Sequence, residues 1–288
     1  MFGLLVVNKP AGPTSHDVVA GARRRLGRGV KVGHAGTLDP FAEGVLVLCV
    51  GPATRLADHV QARPKRYRAI VALGATSTTD DPEGEIAPAS DSPAPPAKTV
   101  REVVGRFVGA IEQVPPAHSA VHVAGRRAYK LARAGQAPEL APRTVTVHSL
   151  DVLRYEYPHL ELDVRCGTGT YVRALARDLG AALGVGGYCQ ALTRTAVGDF
   201  DIDSAVRPDD LDPARDLLPA LRAVEHLPRI AATDEQAESI RHGKTVVLPE
   251  PLPAGATAIV DARGRLLALG EVRAETQTFR PRKVFPAE

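Results

Sequence analysis

Short apolar runs separated by turn residues dominate the first 200 positions of the chain. The continuous runs LLVVNKPAG (4–12) and VLVLCVG (45–51) predict strands that are buried on both faces. The segments 144–157 (TVTVHSLDVLRYEY) and 159–166 (HLELDVRC) alternate between apolar and polar residues, which predicts a β-hairpin. Further strands are predicted at KRYRAIVALG (65–74) and YCQALTRTAVGDF (188–200).

Helical patterns lie between these strands. A Thr-Ser cap opens a predicted helix at 14–27, and GTGTYVRALARDLGAALG (167–184) reads as a tight turn followed by an amphipathic helix. Two more helices are predicted at 53–62 and 99–111, whereas residues 82–97, with five prolines, predict an exposed loop. The expected fold class is therefore α/β or α+β, with a central mixed, mainly antiparallel sheet flanked by helices and loops.

The character of the chain changes after Phe200. An acidic, proline-interrupted stretch leads to a capped helix at 233–246 and to ATAIVDARGRLLALGEVR (256–273), which predicts a hairpin that turns at Ala-Arg-Gly. We therefore predict two domains, a large one over residues 1–226 and a small, mainly β one over residues 227–288.

Composition narrows the class of protein. The 288 residues are 44% apolar, no run approaches the roughly 20 apolar residues that span a bilayer, and the start lacks a basic leader, so we expect a soluble, cytoplasmic protein without membrane contact. The chain has three cysteines, an odd number without CxxC spacing, which supports neither a disulfide framework nor a zinc site.

Charge is distributed unevenly although its net value is only +3. Residues 1–70 carry eleven basic and four acidic side chains, and residues 114–138 add four basic side chains and no acidic one. Residues 199–238 hold eleven acidic and four basic side chains. A polyanion would bind the first two regions and avoid the third, while solvated helix faces would explain the same charges equally well.

The stretch GHAGTLDPFAEG (33–44) carries the candidate chemistry, because it places Asp39 between Leu38 and Pro40 in a glycine-rich turn. This stretch resembles the catalytic loop of the TruB family of bacterial tRNA pseudouridine-55 synthases. Further segments resemble that family in the same order, over roughly residues 3–200: KPAGPTS (9–15), KRYRAIVALG (65–74), TSTTDDPEG (76–84), VPPAHSAVHVAGRRAYKLARAG (114–135), GTYVRALARDLG (169–180) and LTRTAVGDF (192–200).

The resemblance implies a fold and an activity. The fold would be that of the pseudouridine synthases, followed by a small PUA-like RNA-binding domain. The activity would be isomerisation of the T-loop uridine of tRNA, in which the N1–C1′ bond breaks and the base is rejoined through C5. The expected partner is the T stem-loop of tRNA, without a cofactor or a metal ion, and we expect a monomer.

Three residues are expected to carry the reaction. A carboxylate next to C1′ can act as a nucleophile or stabilise developing positive charge, and one carboxylate suits isomerisation better than hydrolysis, which would need a second to activate water. By resemblance this catalytic carboxylate is Asp39, Tyr67 packs on the base and takes part in proton transfer, and Arg173 pairs with Asp39.

Other residues are expected to bind the RNA or shape the site. By resemblance His34 occupies the place that the target base leaves, Tyr171 forms a wall of the site and Leu192 covers the base. The cations Arg66 and Arg68 beside Tyr67 are expected to contact phosphate, and Lys9 to have a supporting role. The choice between Asp80 and Asp81 as the meaningful acid of segment 76–84 stays open.

Three alternatives remain at this level. A non-catalytic RNA-binding or tRNA-folding protein could use the same scaffold, a nucleoside or glycoside hydrolase would release free uracil, and a guide-RNA-dependent synthase would need partner proteins and a guide.

Overall fold

The fold is described from a computed structural model of the 288-residue chain. The described residues are 1–89, 92–119, 122–123, 126–128, 131, 140–248 and 252–286. The basic side chains Lys130 and Arg133, and most of the short helix predicted within 114–135, lie outside these residues.

A large twisted sheet organises most of the chain. Its strands follow the order β14–β1–β3–β12–β4–β11–β10–β7, with β2 paired to β3 and β13 paired to β12. Among these strands the β12–β3 pair is parallel and the others are antiparallel, as the sequence pattern predicts. The strands are β1 (Gly3–Lys9), β2 (Val32–His34), β3 (Glu43–Val50), β4 (Lys65–Leu73), β7 (Gly109–Gln113), β10 (Arg143–Glu156), β11 (His159–Cys166), β12 (Gly187–Val197), β13 (Phe200–Asp201) and β14 (Leu218–Pro219).

Two small two-stranded sheets lie outside the large sheet. Strand β5 (Ala75–Ser77) pairs with β6 (Ile86–Pro88), and β8 (His122–Val123) pairs with β9 (Arg126–Arg127). The proline-rich stretch 82–97 is thus not loop throughout, since part of it is a strand. Strand β5, the partner of β6, leads into the segment after Ser77, and that segment reaches the candidate site.

Helices cover the sheet. The predicted hairpin of β10 and β11 and the capped helix α1 are confirmed, the latter with a capping box between Thr14 and Asp17. The helix predicted at 99–111 ends at Gly105, because the chain turns there into the edge strand β7. The α-helices of the described residues are α1 (Ser15–Leu26), α2 (Ala57–Gln61), α3 (Ala97–Gly105), α4 (Val172–Ala182), α5 (Pro213–Asp216) and α6 (Asp234–Arg241), with 3-10 turns at Gly51–Leu56, Pro208–Asp210 and Ala220–Val224.

Helix α4 packs on the face of the large sheet that holds one of its apolar cores. Its Val172, Leu175 and Leu179 are buried in the same apolar cluster as residues of β4 and β11. The helix approaches the start of β12 closely: a Cβ at Gly180 would lie 2.2 Å from the backbone nitrogen of Gly187. Only glycine permits this contact, which fixes the helix relative to the sheet.

The C-terminal residues form a second sheet with the order β15–β17–β18–β19–β16. The predicted capped helix is confirmed as α6, with its Thr233–Gln236 capping box, but it ends at Arg241 and not at Val246, which belongs to a strand; the predicted hairpin turn at 262–264 is confirmed. No helix among the described residues is both long and apolar enough to cross a membrane. The strands of this sheet are β15 (Arg229–Ala231), β16 (Val246–Val247), β17 (Gly255–Val260), β18 (Leu266–Arg273) and β19 (Thr278–Val284).

Candidate active site

The loop between β2 and β3 presents Asp39 at the surface of the large sheet. Ser15, at the start of α1, both accepts from the Leu38 amide and donates to the Leu38 carbonyl, each at 2.9 Å. The fully buried Lys9 donates to the Pro40 carbonyl at 3.1 Å, and to two carbonyls of its own turn. The residues on both sides of Asp39 are therefore fixed by the N-terminal motif that the sequence analysis singled out.

Asp39 forms a two-point ion pair with Arg173. Its Oδ1 lies 3.1 Å from Nη2 of Arg173, and its Oδ2 lies 2.9 Å from Nε. Because Arg173 is the second residue of α4, the glycine-anchored helix determines where this guanidinium lies. The arginine side chain is 4% exposed, whereas that of Asp39 is 31% exposed. The carboxylate is thus held by protein on one side and open to a ligand on the other.

Asp81 completes the network around Arg173. Its Oδ2 lies 2.9 Å from Nη1 of Arg173, and the arginine also donates to the carbonyls of Thr79 and His118. The Asp81 side chain is only 3% exposed, and its other oxygen accepts from the Thr79 hydroxyl and the Glu83 amide. The contacts of the two adjacent acids differ: Asp81 meets Arg173, and Asp80 instead pairs with Arg177.

Electrostatics at the site are dominated by burial and by this charge network. Burial raises the pKa of the Asp39 carboxyl; Arg173 opposes the rise, and the nearby negative charge of Asp81 adds to it. Burial acts to lower the pKa of Arg173, but the carboxylates of Asp39, Asp81 and Asp80 outweigh it, so that pKa is raised. The arginine is a permanent cation.

Apolar side chains form the floor next to Asp39. Tyr67 and Leu192 are 9% and 6% exposed and belong to the same core cluster as Leu38. Burial raises the pKa of the Tyr67 hydroxyl, so the phenol is neutral at physiological pH. Tyr67 and Leu192 thus lie in the apolar cluster that includes Leu38, the residue before Asp39, and their roles toward the base stay predictions.

Two further predicted residues lie at the edges of this region. His34 ends β2, and its ring meets that of His16 edge to face at 5.3 Å between centroids. Tyr171 precedes α4, where its backbone exchanges two hydrogen bonds with the side chain of Gln113. Arg143 lies over the Tyr171 ring at 5.0 Å.

Arg66 and Arg68 lie on the opposite face of the sheet from Tyr67. Successive side chains of a strand point to opposite faces, and these two are exposed on β4 while Tyr67 is buried between them. Arg66 pairs with Asp163 at 2.9 Å, and Arg68 lies 3.6 Å from Glu161. Their contact with phosphate stays a prediction, and it would be made away from the Tyr67 side.

Sequence reasoning did not single out His16 or Gln113. No motif marks them: His16 follows the N-cap segment of α1, and Gln113 ends an edge strand more than 50 residues from Tyr171. Their roles depend on contacts between distant segments, which a single sequence does not display.

Comparison with known proteins identifies the family. Residues 23–172 match the TruB family pseudouridylate synthase (N terminal domain), and residues 173–225 match the tRNA pseudouridylate synthase B C-terminal domain. The chain is 45% identical to the tRNA pseudouridine synthase B of Leifsonia xyli subsp. xyli, over 94% of this chain and 93% of the relative. It is 46% identical to the protein of that name from Cutibacterium acnes, over 93% and 92% respectively.

Solved structures give the same fold. A chain from an H/ACA RNP bound to a substrate RNA containing 2′-deoxyuridine matches with a TM-score of 0.75 and 26% identity, over 99% of this chain and 86% of that one. A chain from a Cbf5-Nop10-Gar1 complex matches with a TM-score of 0.74 and 27% identity, over 98% and 84%.

Fold, site and relatives together define an RNA-modifying isomerase of the pseudouridine synthase class. The chain belongs to the TruB family of pseudouridylate synthases, whose curated members are named for tRNA. The family and the fold that the sequence motifs predict are thereby confirmed.

Proposed function

We propose that this protein converts the T-loop uridine at position 55 of tRNA to pseudouridine and that Asp39 is its catalytic carboxylate. The observation that carries the proposal is the two-point ion pair of Asp39 with Arg173, which leaves the carboxylate 31% exposed beside an apolar floor. A structural aspartate in a turn would not need a buried guanidinium aimed at it from a helix 134 residues further along the chain.

The reaction requires no net gain or loss of atoms. The N1–C1′ bond breaks, the uracil turns while it is still bound, C5 bonds to C1′, and the hydrogen of C5 leaves as a proton while N1 takes one up. Asp39 serves either as the nucleophile at C1′ or as the anion that stabilises positive charge there. Both roles need the ionised carboxylate, which Arg173 favours.

The apolar floor supports isomerisation over hydrolysis. Cleaved uracil must stay in place while it turns, and water must not reach C1′. Tyr67 and Leu192 supply buried apolar surface for the base, and Tyr67 adds a neutral hydroxyl that can donate a proton or a hydrogen bond. The enzyme would act alone, without cofactor or metal ion.

Recognition of tRNA follows from the basic segments. The exposed basic side chains of residues 1–70, together with the basic side chains of residues 114–138, would bind the phosphates of the T stem-loop, and His34 would fill the place of the flipped base. We propose that residues 1–226 form the catalytic domain and that residues 227–288, as a PUA-like domain, hold the rest of the tRNA. The protein is proposed to work as a monomer in the cytoplasm.

The deciding experiment measures tritium release from C5 of labelled, unmodified tRNA, with free uracil assayed in parallel. Asp39→Asn removes the charge with little change in shape and should abolish release, while the Kd for tRNA stays within about threefold. Asp58→Asn, an exposed carboxylate on α2, is the matched control and should keep the wild-type rate. A T stem-loop whose only uridine is at position 55 should be a substrate.

Each outcome has a definite meaning. Tight tRNA binding by the wild type without release would favour an RNA-binding or tRNA-folding protein, or one that awaits a guide and partners. Free uracil would indicate a hydrolase. Equal loss of binding and release in Asp39→Asn would contradict the catalytic assignment.

A further inference from the structure

The proposed function leaves one buried cation near the site without a role. Arg194 lies in β12, is 2% exposed, and pairs in register with Tyr67 of β4 and Gly44 of β3. A Cβ at Gly44 would lie 2.2 Å from the Arg194 carbonyl oxygen, so the glycine allows the backbone of β12 to approach the end of the catalytic loop. Arg194 therefore sits where the parallel strand pair meets that loop.

All hydrogen bonds that the Arg194 side chain makes to main-chain carbonyls go to the loop or to the strand after it. Nη2 donates to Gly36 at 3.1 Å, Nη1 to Thr37 at 3.2 Å, and Nε to Val45 at 2.7 Å. A planar guanidinium makes these three contacts from three nitrogens held in fixed directions, whereas a lysine ammonium donates from a single nitrogen. Gly36 and Thr37 precede Asp39 by three and two residues.

Burying a cation costs free energy unless a nearby negative charge or hydrogen bonds offset the lost hydration. Within the described part of the chain no carboxylate lies within ion-pair distance of Arg194, and carbonyl contacts only partly offset the loss of water. The site itself holds two carboxylates, Asp39 and Asp81, against the single guanidinium of Arg173. Arg194 adds positive charge next to this cluster, as the buried Lys9 does from the end of β1.

We propose that Arg194 is a positioning residue for the isomerisation, one that fixes the backbone before Asp39 and brings a further buried positive charge to the site. This inference rests on the proposed function, because it assigns Arg194 to the same reaction. It differs from the role of Arg173, which touches the Asp39 carboxylate directly, since Arg194 acts through the loop and through its field.

The charge of Arg194 has a separate, measurable effect. It opposes the rise that burial causes in the pKa of Asp39 and, by charge and hydrogen bonding, the rise in the pKa of Tyr67. A variant without this charge should therefore need a higher pH to ionise Asp39. Among the described residues, the charged and titratable groups that interact with Asp39 are Arg173 from α4, Asp81 from the segment after β5, Arg194 and Cys189 from β12, Lys9 from the end of β1 and Tyr67 from β4.

The test compares Arg194→Lys and Arg194→Met with Arg63→Met. Arg63 is also a buried arginine, 7% exposed, but it holds Asp199 and the Arg222 carbonyl away from the catalytic loop. The single-turnover rate at saturating tRNA should fall about 10-fold in Arg194→Lys and about 100-fold in Arg194→Met, because small misplacements of a reacting group cost this much. Arg63→Met should lower the free energy of unfolding and leave the single-turnover rate unchanged.

The pH dependence of the rate distinguishes a positioning role of Arg194 from a purely structural one. The acidic limb of the rate should move to higher pH in Arg194→Met and stay in place in Arg194→Lys, while the Kd for tRNA remains nearly unchanged. If Arg194→Met does not fold, Arg194→Gln, which also lacks the charge, carries the same test. An acidic limb that does not move in the uncharged variant, or rates that match Arg63→Met, would overturn the inference.

Failure of the inference is distinct from failure of the proposed function. A wild-type protein that releases no tritium would remove the proposed function. An active wild type whose Arg194 variants stay within about threefold of its rate would remove only the role of Arg194.

Discussion

At the scale of single residues, the site is an asymmetric charge cluster. Arg173 and Asp81 are 4% and 3% exposed, whereas Asp39 keeps nearly a third of its side-chain surface. A buried pair of this kind is costly to assemble and costly to break. In this site the contact with Asp81 orients the guanidinium, so that two of its nitrogens remain for the partly exposed carboxylate of Asp39.

The direction of the Asp39 pKa shift predicts a pH dependence of catalysis. Burial raises this pKa above its ordinary value, so the proton is lost at a higher pH than from an ordinary aspartate. The reaction needs the ionised form, and the single-turnover rate should therefore fall on acidification at a pH above about 4, the usual range of aspartate. Rates measured over the acidic range on folded protein check this, and an acidic limb centred at or below about 4 would contradict it.

Substitutions of the adjacent Asp80 and Asp81 should differ in their effects on stability and rate. Asp81→Asn removes a buried partner of Arg173, and should lower both the free energy of unfolding, by about 3 kcal/mol, and the rate. Asp80→Asn is the control: Asp80 has a φ of +62°, which asparagine tolerates well, and its partner is Arg177.

Urea unfolding and single-turnover rates compare the two variants. We expect Asp80→Asn to keep a rate close to that of the wild type. Equal rates in both variants would show that Asp81 does not orient Arg173.

At the scale of elements, the packing of helix α4 determines where Arg173 lies in the site. The helix carries Arg173 at its second position and, through Gly180, contacts the start of β12, the strand that holds Leu192. The helix also has its first turn fixed by Gln113 of β7. Position and orientation of the guanidinium are therefore set at both ends of the helix.

Alanine at two helical glycines should have opposite effects. In Gly180→Ala the new Cβ would lie 2.2 Å from backbone, so we expect a loss of about 1–3 kcal/mol in the free energy of unfolding and a reduced rate. Gly105→Ala, at the end of α3, meets nothing within 4 Å and should gain about 0.5 kcal/mol with an unchanged rate.

Chemical denaturation measures both effects of the glycine substitutions, and tritium release measures the rates. A Gly180→Ala variant with wild-type stability would mean that α4 can shift away from β12 at no cost.

At the scale of the whole molecule, the C-terminal sheet is joined to the N-terminal strands by a defined contact. The rings of Phe2 and Phe285 stack with 5.2 Å between centroids, and Arg55 lies over Phe285 at 5.1 Å. Arg55 also donates to the Val284 carbonyl, and Lys283 donates to the Arg55 carbonyl. The two sheets share one apolar core at this point.

Loss of this contact should weaken tRNA binding and leave the rate of the chemical step unchanged. Phe285→Ala should lower the free energy of unfolding by about 3 kcal/mol and raise the Kd for tRNA about tenfold, because the proposed RNA-binding domain is no longer fixed. The rate at saturating tRNA should be unchanged. Phe107→Ala, at the far side of the large sheet, is the control and should leave the Kd as it is.

Fluorescence titration and single-turnover assays measure these two quantities. A Kd unaffected by Phe285→Ala would remove the argument that the position of residues 227–288 matters for tRNA.

The chain by itself determined the local elements and the chemistry-bearing motifs. Apolar periodicity, caps and turn residues depend on near neighbours, so β1, α1, the β10–β11 hairpin and the hairpin turn after β17 could be predicted. The motif order indicated the family, and with it the pairing of Arg173 with Asp39.

Tertiary structure alone decided what depends on long-range contact. It assigned Asp81 rather than Asp80 to Arg173, and it ended α3 at Gly105 so that an edge strand could pair with β10. It also placed Arg194 against a loop more than 150 residues earlier. Side chains far apart in the chain meet only when the sheet order is fixed, and no local pattern carries that order.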